Sequence, residues 1–393
     1  MSTLKVGSIR GVSASSDAIT VANDGTCTAN VTSLSGGQLS NRNKVINGAM
    51  TVSQRHGTSA VQLSATEQYI VDRFKNDTGS SFDMKADASQ STDHPDGFSN
   101  SLKLVCDGVS SPGTNGNGGI ATFIEGQDVQ DFGFGSSNAK AITLSFYAKS
   151  AAQNANHTYS VMVGYSKDGT GARVKQLKSF TVTASWQRFI MTFQPTGVAQ
   201  SAGITNSNAY GIQIFFSLAA GSSDLVSEIT TWTEEGALVG VTGQDNFFDA
   251  SGNELYITGV QLEVGSVATD FEHRSYCDEI NKCKRYYTFF PAGYIGGGRG
   301  GSGGSLLIYN YYLTTPMRAA PSFEPSSGWS SSNGIRAYKY NGQSDSTSTP
   351  TLATNGFIAN ANILYMSMAG HSIDDDRVAS FTHNNTLGIN AEL

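Results

Sequence analysis

The sequence predicts an all-β protein: an antiparallel β-sandwich or jelly roll, then a smaller C-terminal β domain, the two joined by a short α-helix. Apolar side chains recur at every second position through many short runs, so each run has one face to bury. The segments between the runs, such as DGTGAR, SPGTNGNGG and NSNAYG, are dense in turn-forming Gly, Asn and Asp. Two antiparallel sheets packed face to face satisfy both observations. Helical spacing is clear only around Ile280.

Residues 1–44 hold short β-prone pieces, Leu4-Lys5-Val6 and Ala18-Ile19-Thr20-Val21, among Ser, Gly, Asn and Thr. They carry too little apolar surface for a core. They are expected to form an arm lying on another subunit, on a particle or on their own chain. The sandwich is assigned to residues 45–275. Its clearest strands place Leu102, Leu104 and Cys106 on one face, as they do Ile142, Leu144, Phe146 and Ala148. Tyr159, Val161, Val163 and Tyr165 alternate likewise, then Phe189, Met191 and Phe193, then Tyr210, Ile212, Ile214, Phe216 and Leu218. In the closing strand Leu255 and Ile257 alternate, but after Gly259 the apolar parity shifts to Val260, Leu262 and Val264. That slip predicts a β-bulge at the glycine.

Gly265 ends this strand. Ser275 is placed to cap a helix with Asp278 as its box partner. Asp278 and Glu279 open the helix and Lys282, Lys284 and Arg285 follow, as its dipole favours. Tyr276, Ile280, Cys283 and Tyr287 form its apolar face. Residues 276–393 comprise this helix and a C-terminal domain of five or six strands. There GYIGGGRGGSGGS is too rich in glycine to hold one conformation unaided. LLIYNYYL has apolar or aromatic residues on both faces.

Composition excludes several functions. The chain has 393 residues, a net charge of −7 and no basic run, so it lacks the footprint of a nucleic-acid binder. No apolar run reaches the ~20 residues of a membrane span, and MSTLKVGSIRG lacks the apolar core of a signal peptide. Synthesis in a cytoplasm is expected. Cys27 and Cys106 are isolated, and Cys277 and Cys283 are spaced too far along a helix for a disulfide, so four free thiols are expected.

The run GVQLEVGSVATDFEHRSYCDEINKCKRYY resembles the exit signature of tailed-bacteriophage virion proteins, tail-fibre proteins above all, "QLE-G--AT-FE-R" followed by a "C-RYY" helix. VINGAMTVSQRHG and YIVDRF are similar to the family's "INGAM-V-QRG" and "Y--DRW", with Phe74 in place of Trp. TTPMRAAP and the final INAEL resemble "TMRA-P" and "A-AEL". The likeness covers about residues 45–290 and then only the edges of the C-terminal part. It implies a jelly roll resembling a carbohydrate-binding module, with Trp186 as its core Trp.

Catalytic chemistry has little support. The histidines are scattered without metal-ligand spacing, and the glycine run lacks the Lys-Ser/Thr of a phosphate loop. Glu125, Asp128 and Asp131, and Asp374, Asp375 and Asp376, read as solvated acidic turns; a glycan depolymerase would need two of them opposed across a sugar. Jelly rolls of this kind often carry a structural calcium ion, and Asp245, Asp249, Asn253 and Glu254 supply suitable hard oxygens, though they equally suit an Asn/Asp turn. Candidate sugar-stacking rings are Tyr294, Trp329, Tyr338 and Tyr340, which could instead form a core or a subunit interface. The expectation is a structural protein of a tailed-phage virion. A tail fibre that binds a host-surface glycan comes first, and a capsid-attached fibre or decoration protein, or a depolymerase, stands as the alternative. It is expected to be a homotrimer held by its N-terminal arm to other virion proteins, with no nucleic acid and no membrane insertion.

Overall fold

The computed structural model describes residues 6–10, 12, 19–22, 24, 27–29, 40–151, 156–170, 173–198, 203–234, 236, 238–290, 293–301, 305–325, 335–338, 344–346, 351–358, 363–369, 378–383 and 387–393; at 27–29, 290–312, 323 and 325–387 it describes backbone only. In chain order the first strands are β1 (Ser8–Ile9), β2 (Ile19–Val21), β3 (Cys27–Ala29), β4 (Val61–Leu63), β5 (Tyr69–Val71), β6 (Phe74–Gly79), β7 (Ala86–Ser91), β8 (Ser101–Cys106) and β9 (Asn117–Glu125). They continue with β10 (Ile142–Ser150), β11 (His157–Ser166), β12 (Arg173–Val182), β13 (Gln187–Phe193), β14 (Tyr210–Ala220), β15 (Leu225–Val226), β16 (Ile229–Thr233), β17 (Gly240–Val241) and β18 (Glu254–Val264).

Two antiparallel sheets form the sandwich. One has six strands in the order β13-β10-β18-β8-β7-β4; the other has seven, β16-β12-β11-β14-β9-β6-β5. The chain crosses repeatedly between them, as after β9, β10 and β12, so the core is built from distant segments. The predicted alternation is what fills it: Ile142, Leu144, Phe146 and Ala148 are wholly buried, as are Ile212, Ile214, Phe216 and Leu218. Phe146 stands edge-on to Phe180 and Phe216 at 5.1 and 5.0 Å, a geometry that adds to area burial. Phe74 is fully buried, so the apolar ring suffices at that site. The expectation for Trp186 is corrected. It is half-buried, and its Nε1 donates to Asp93 at 3.1 Å. The core tryptophan is Trp232, which packs on Phe134 and Tyr165.

The bulge at Gly259 is present. Ser145 pairs with Gln261 but Tyr147 pairs with Thr258, so Gly259 and Val260 oppose Phe146 alone. Gly259 has φ +63°, and a Cβ there would sit 2.8 Å from the Phe98 ring. Beside it the Val260 N–H donates to the Gly48 carbonyl at 2.9 Å, and a Cβ on Gly48 would fall 2.1 Å from the Val260 oxygen. Gly259 is therefore required by its positive φ and the rings packed on it, and Gly48 by close backbone approach. The parity change buries Leu262 in the core and turns Gln261 and Glu263 to the opposite face, where the exit segment fastens. Glu263 accepts from the Thr269 N–H and hydroxyl at 2.8 and 2.7 Å. Gln261 accepts from the Glu272 N–H at 2.8 Å. Glu272 in turn accepts from Asn43 N–H at 2.9 Å, and Arg274 donates to the carbonyls of Val45 and Asn43. The exit signature is thus a polar strap.

The strap leads to α1 (Tyr276–Lys284), capped as predicted by Ser275, whose Oγ accepts from Asp278 N–H at 3.1 Å and donates to its carboxylate at 2.6 Å. The predicted Cys283 is buried, as is Tyr287 just beyond the helix, but the face departs from the prediction at two positions: Tyr276 is 61% exposed and Glu279 is buried. The Glu279 carboxylate accepts from Asn47 N–H at 2.5 Å and from Arg274 at 3.4 Å, so a charge with partners is turned inward instead of a ring. Cys106, Cys277 and Cys283 are free thiols.

Ten further strands follow among the described residues, not five or six: β19 (Tyr287–Phe290), β20 (Gly293–Gly301), β21 (Ser305–Tyr312), β22 (Ser322–Pro325), β23 (Ile335–Tyr338), β24 (Ser344–Ser346), β25 (Thr351–Ile358), β26 (Ile363–Ala369), β27 (Val378–His383) and β28 (Leu387–Asn390). They make a three-stranded sheet, β19-β28-β22, and a seven-stranded one, β24-β23-β27-β20-β21-β26-β25. The glycine run adds one of the uncounted strands: it is β20, held between β27 and β21 by ladders on both sides. At the N-terminus β1, β2 and β3 form a small sheet of their own, with Val6, Ile9, Val12 and Val21 exposed.

Candidate functional site

The outward positions of β9 divide the outer face of the sandwich's seven-stranded sheet into three zones. At its C-terminal end Glu125 is wholly buried. Arg285 grips its carboxylate with two parallel bonds of 2.7 and 2.8 Å, and the Tyr286 hydroxyl and Gln127 amide donate at 2.6 and 2.8 Å. Glu125 is therefore a structural clamp, not the solvated acidic turn expected from its neighbours. Next to it Arg73 lies over the Tyr286 ring at 3.5 Å, donates to the Phe123 carbonyl at 2.7 Å and pairs with Glu392. Glu392 also meets Arg55 at 3.3 Å, and Arg55 lies over Tyr287 at 3.6 Å. Arg318 donates to the carbonyls of Ala391 and Glu392, both at 2.8 Å. This joint ties the sandwich to the C-terminal sheets.

Asp72 is buried within the joint and accepts from the Gln54 N–H at 2.8 Å and side-chain amide at 2.5 Å. Burial pushes its carboxyl up to about 6, against those hydrogen bonds and nearby Arg55. Because the folded value lies above the unfolded one, the folded state binds the extra proton, and stability rises as pH falls through 6 toward the ordinary value of 3.8. Between pH 7 and 5 this group is expected to add about 1 kcal/mol. Urea titrations at both pH values check it: the increment should be absent in Asp72→Asn.

At the other end of the sheet a cover lies over the outer face. Val239 and Val241 from the segment around β17 pack on Ala121, Met162, Leu177 and Phe215. Lys175, buried under it, donates to the carbonyls of Gly236 and Leu238 at 2.6 and 2.5 Å.

Between joint and cover a strip stays partly open. Phe123 and Tyr210 meet edge to face at 5.6 Å. The Lys75 ammonium lies 4.8 Å from the Phe123 ring centre and 2.7 Å from Glu67. Arg173 hydrogen-bonds to the Tyr210 hydroxyl, whose pKa burial pushes up to about 12. Asp77 accepts from the Gln213 amide at 2.7 Å, while the buried Gln213 carbonyl oxygen has no partner among the described residues. Burial, then the charge of Glu67, raises the Asp77 carboxyl above its ordinary range. Rings flanked by an amide, a carboxylate and two cations are suited to a polyhydroxylated ligand, which offers apolar C–H faces and many hydroxyls. Sequence reasoning missed this strip because Phe123 and Tyr210 lie in strands whose other positions are core. The outward phase of β9 was the available signal for Phe123; Tyr210 was expected on the core face with Ile212, and a register shift between the two turns it outward, Tyr210 pairing with Glu125 and Ile212 with Ile124.

The sequence-predicted residues fall elsewhere. Trp329 and Tyr340 lie outside the described residues, as do Asp374, Asp375 and Asp376. Tyr294 and Tyr338 sit on β20 and β23, whose backbones flank β27: Tyr294 pairs with Thr382 and Tyr338 with Ser380, two positions of one sheet face. Of the four calcium candidates the fold brings two together, the Asn253 amide donating to Asp249 at 2.8 Å. Asp245 instead accepts from Thr158 N–H at 2.7 Å, and Glu254 pairs with Lys103 at 3.0 Å. Among the described residues no three His, Cys, Asp or Glu side chains converge on a common point fit for a metal ion.

The chain matches no known protein-family profile and no curated protein. Its fold is similar to the family 11 carbohydrate-binding module of a cellulosomal cellulase from Clostridium thermocellum, with 14% identity over 56% of this chain and 99% of that one, at a TM-score of 0.28. The xylan-binding domain of Xyn10C from Paenibacillus barcinonensis gives 12% identity, 54% and 99% coverage and a TM-score of 0.27. The enzymatically active domain of tailspike protein 4 from bacteriophage CBA120 gives 14% identity over 56% of this chain but only 21% of that chain, at 0.31. At such scores the likeness assigns no ligand to this chain, which stands as a nearly all-β protein whose structural neighbours include carbohydrate-binding modules and a phage tailspike domain.

Proposed function

We propose that this chain is a structural protein of a tailed-phage virion, a tail fibre by first reading, that binds a glycan on the host surface. The observation that carries the binding role is the partly open strip of Phe123, Tyr210, Asp77 and Arg173, with Gln213 buried beneath it, between the joint and the cover. The virion role rests on the motifs around Asn47, Asp72, Gln261, Arg285, Arg318 and Glu392. All of them serve the strap or the joint, as a shared scaffold would. The homotrimer and the N-terminal attachment arm belong to the same proposal. A second contact surface is favoured by one observation, the placement of Tyr294 and Tyr338 on one face of the C-terminal sheet beside β27.

The test uses the full chain and oligosaccharides released from the host's surface polysaccharide. Phe123→Ala and Tyr210→Ala are each expected to weaken binding about tenfold, or ~1.4 kcal/mol, at unchanged oligomeric state by light scattering. Reducing ends should not accumulate. Undiminished binding in both variants would remove the strip from the function, and steady release of reducing ends would replace binder with depolymerase. Labelling of the chain on intact particles separates a tail position from a capsid position.

A further inference from the structure

A second concavity lies where the sandwich meets the three-stranded sheet. It has a volume of about 290 Å³ and is lined by Arg55, His56, Glu67, Gln68, Tyr69, Lys75, Glu324 and Asn390. The first six come from the sandwich side and the last two from β22 and β28, so neither body forms it alone. From this pocket we infer a subsite for one neutral sugar residue, built across the joint and continuous with the strip. The inference rests on the glycan-binding reading above.

Three observations set the ligand class. The pocket's cations are already matched by carboxylates. Lys75 pairs with Glu67 at 2.7 Å and Arg55 with Glu324 at 3.2 Å. Burial, then the charge of Arg55, lowers the His56 pKa, which keeps that ring neutral at pH 7. The formal charges of the lining therefore sum to zero, so the pocket offers no net charge to favour a phosphate or a carboxylate. A metal ion is disfavoured as well, since no three acidic, His or Cys side chains converge among the described residues.

What remains is planar hydrogen-bonding groups on a rigid frame. Glu67 and Glu324 keep 47% and 42% of their side chains exposed while paired, so each carboxylate still presents oxygen to the opening. Asn390 fixes Glu324 through its amide at 2.7 Å, and Gln68, held by its amide to the Gln62 carbonyl, lines the pocket from the sandwich side. Carboxylates already held by a cation accept hydroxyl protons without first having to be ordered. The volume falls at the small end of ligand pockets, which suits a single ring. Continuity with the strip is given by Lys75, which lines the pocket and lies over Phe123. A glycan stacked on Phe123 and Tyr210 would thus place an end residue in the pocket.

The experiment is saturation-transfer NMR on the full chain with glucose, galactose, mannose and N-acetylglucosamine, each at millimolar concentration. Sodium phosphate serves as an anionic competitor. At least one neutral sugar is expected to receive saturation from wild type and from Phe123→Ala, unaffected by phosphate. Glu324→Gln and Gln68→Ala should each cut that signal at least fivefold while the melting temperature stays within a few degrees. Signal that survives in both pocket variants, or that phosphate abolishes, overturns the subsite. So does binding of oligosaccharides at the strip with no monosaccharide response, an outcome that leaves the proposed function standing. If neither oligosaccharides nor monosaccharides bind, both proposals fall together.

Discussion

Glu125→Ala is expected to cost about 3–5 kcal/mol, the range for removing one partner of a buried ion pair. The carboxylate is wholly buried and receives two bonds from Arg285, one from the Tyr286 hydroxyl and one from Gln127. Its removal leaves a guanidinium that is 27% exposed without a counter-charge, and a buried phenol without an acceptor. Water reaches the partly exposed guanidinium, but the phenol cannot regain an acceptor without opening the joint. Glu125→Gln keeps the shape and one acceptor oxygen and should cost less than half as much. Urea unfolding followed by tryptophan fluorescence measures both. Limited proteolysis should show faster cleavage at the joint in the alanine variant. A loss below about 1 kcal/mol for alanine would mean that Arg285 finds another anion, and that the joint is held by Arg73, Arg55 and Glu392 alone.

Residues whose role follows from chain direction were legible in the sequence. The period of two in Ile142, Leu144, Phe146 and Ala148 dictates a buried face wherever the strand lies, and the parity slip at Gly259 could only be absorbed by a bulge. Residues whose role depends on distant partners were not legible. Glu125 looks like its neighbours Asp128 and Asp131 until Arg285, remote in sequence, arrives over it. Phe123 and Tyr210 look like core aromatics until the sheet's outer face is known to be open at their level. The glycine run failed for a different reason: local propensity argued against a strand, and ladders on both sides overrode it. The candidate site therefore lies where sequence patterns are weakest, while the recognisable motifs encode the parts that hold the frame.

That division has a consequence for Glu263, the glutamate of the exit signature. Glu263→Ala is expected to destabilise the chain by about 1–3 kcal/mol, chiefly from the Thr269 N–H left unmatched. The side chain is buried and accepts three bonds: from Thr269 N–H at 2.8 Å, from the Thr269 hydroxyl at 2.7 Å and from the Gln261 amide at 2.9 Å. The Thr269 hydroxyl can rotate to another acceptor, the Asp270 carbonyl at 3.3 Å, but its N–H cannot. The strap would loosen from the sheet, and with it Glu272 and Arg274, which hold the backbone at Asn43 and Val45. Hydrogen exchange should accordingly rise first at Thr269 and Asn43, ahead of the core strands. Gln261→Ala combined with Glu263→Ala should cost less than the sum of the two, because they share Thr269 and bond each other. Glycan binding per folded molecule should be unchanged in these variants, since Phe123 and Tyr210 lie on the other sheet and none of the strap residues lines the pocket. Weaker binding by the fraction still folded would place the exit signature in recognition instead of in the scaffold.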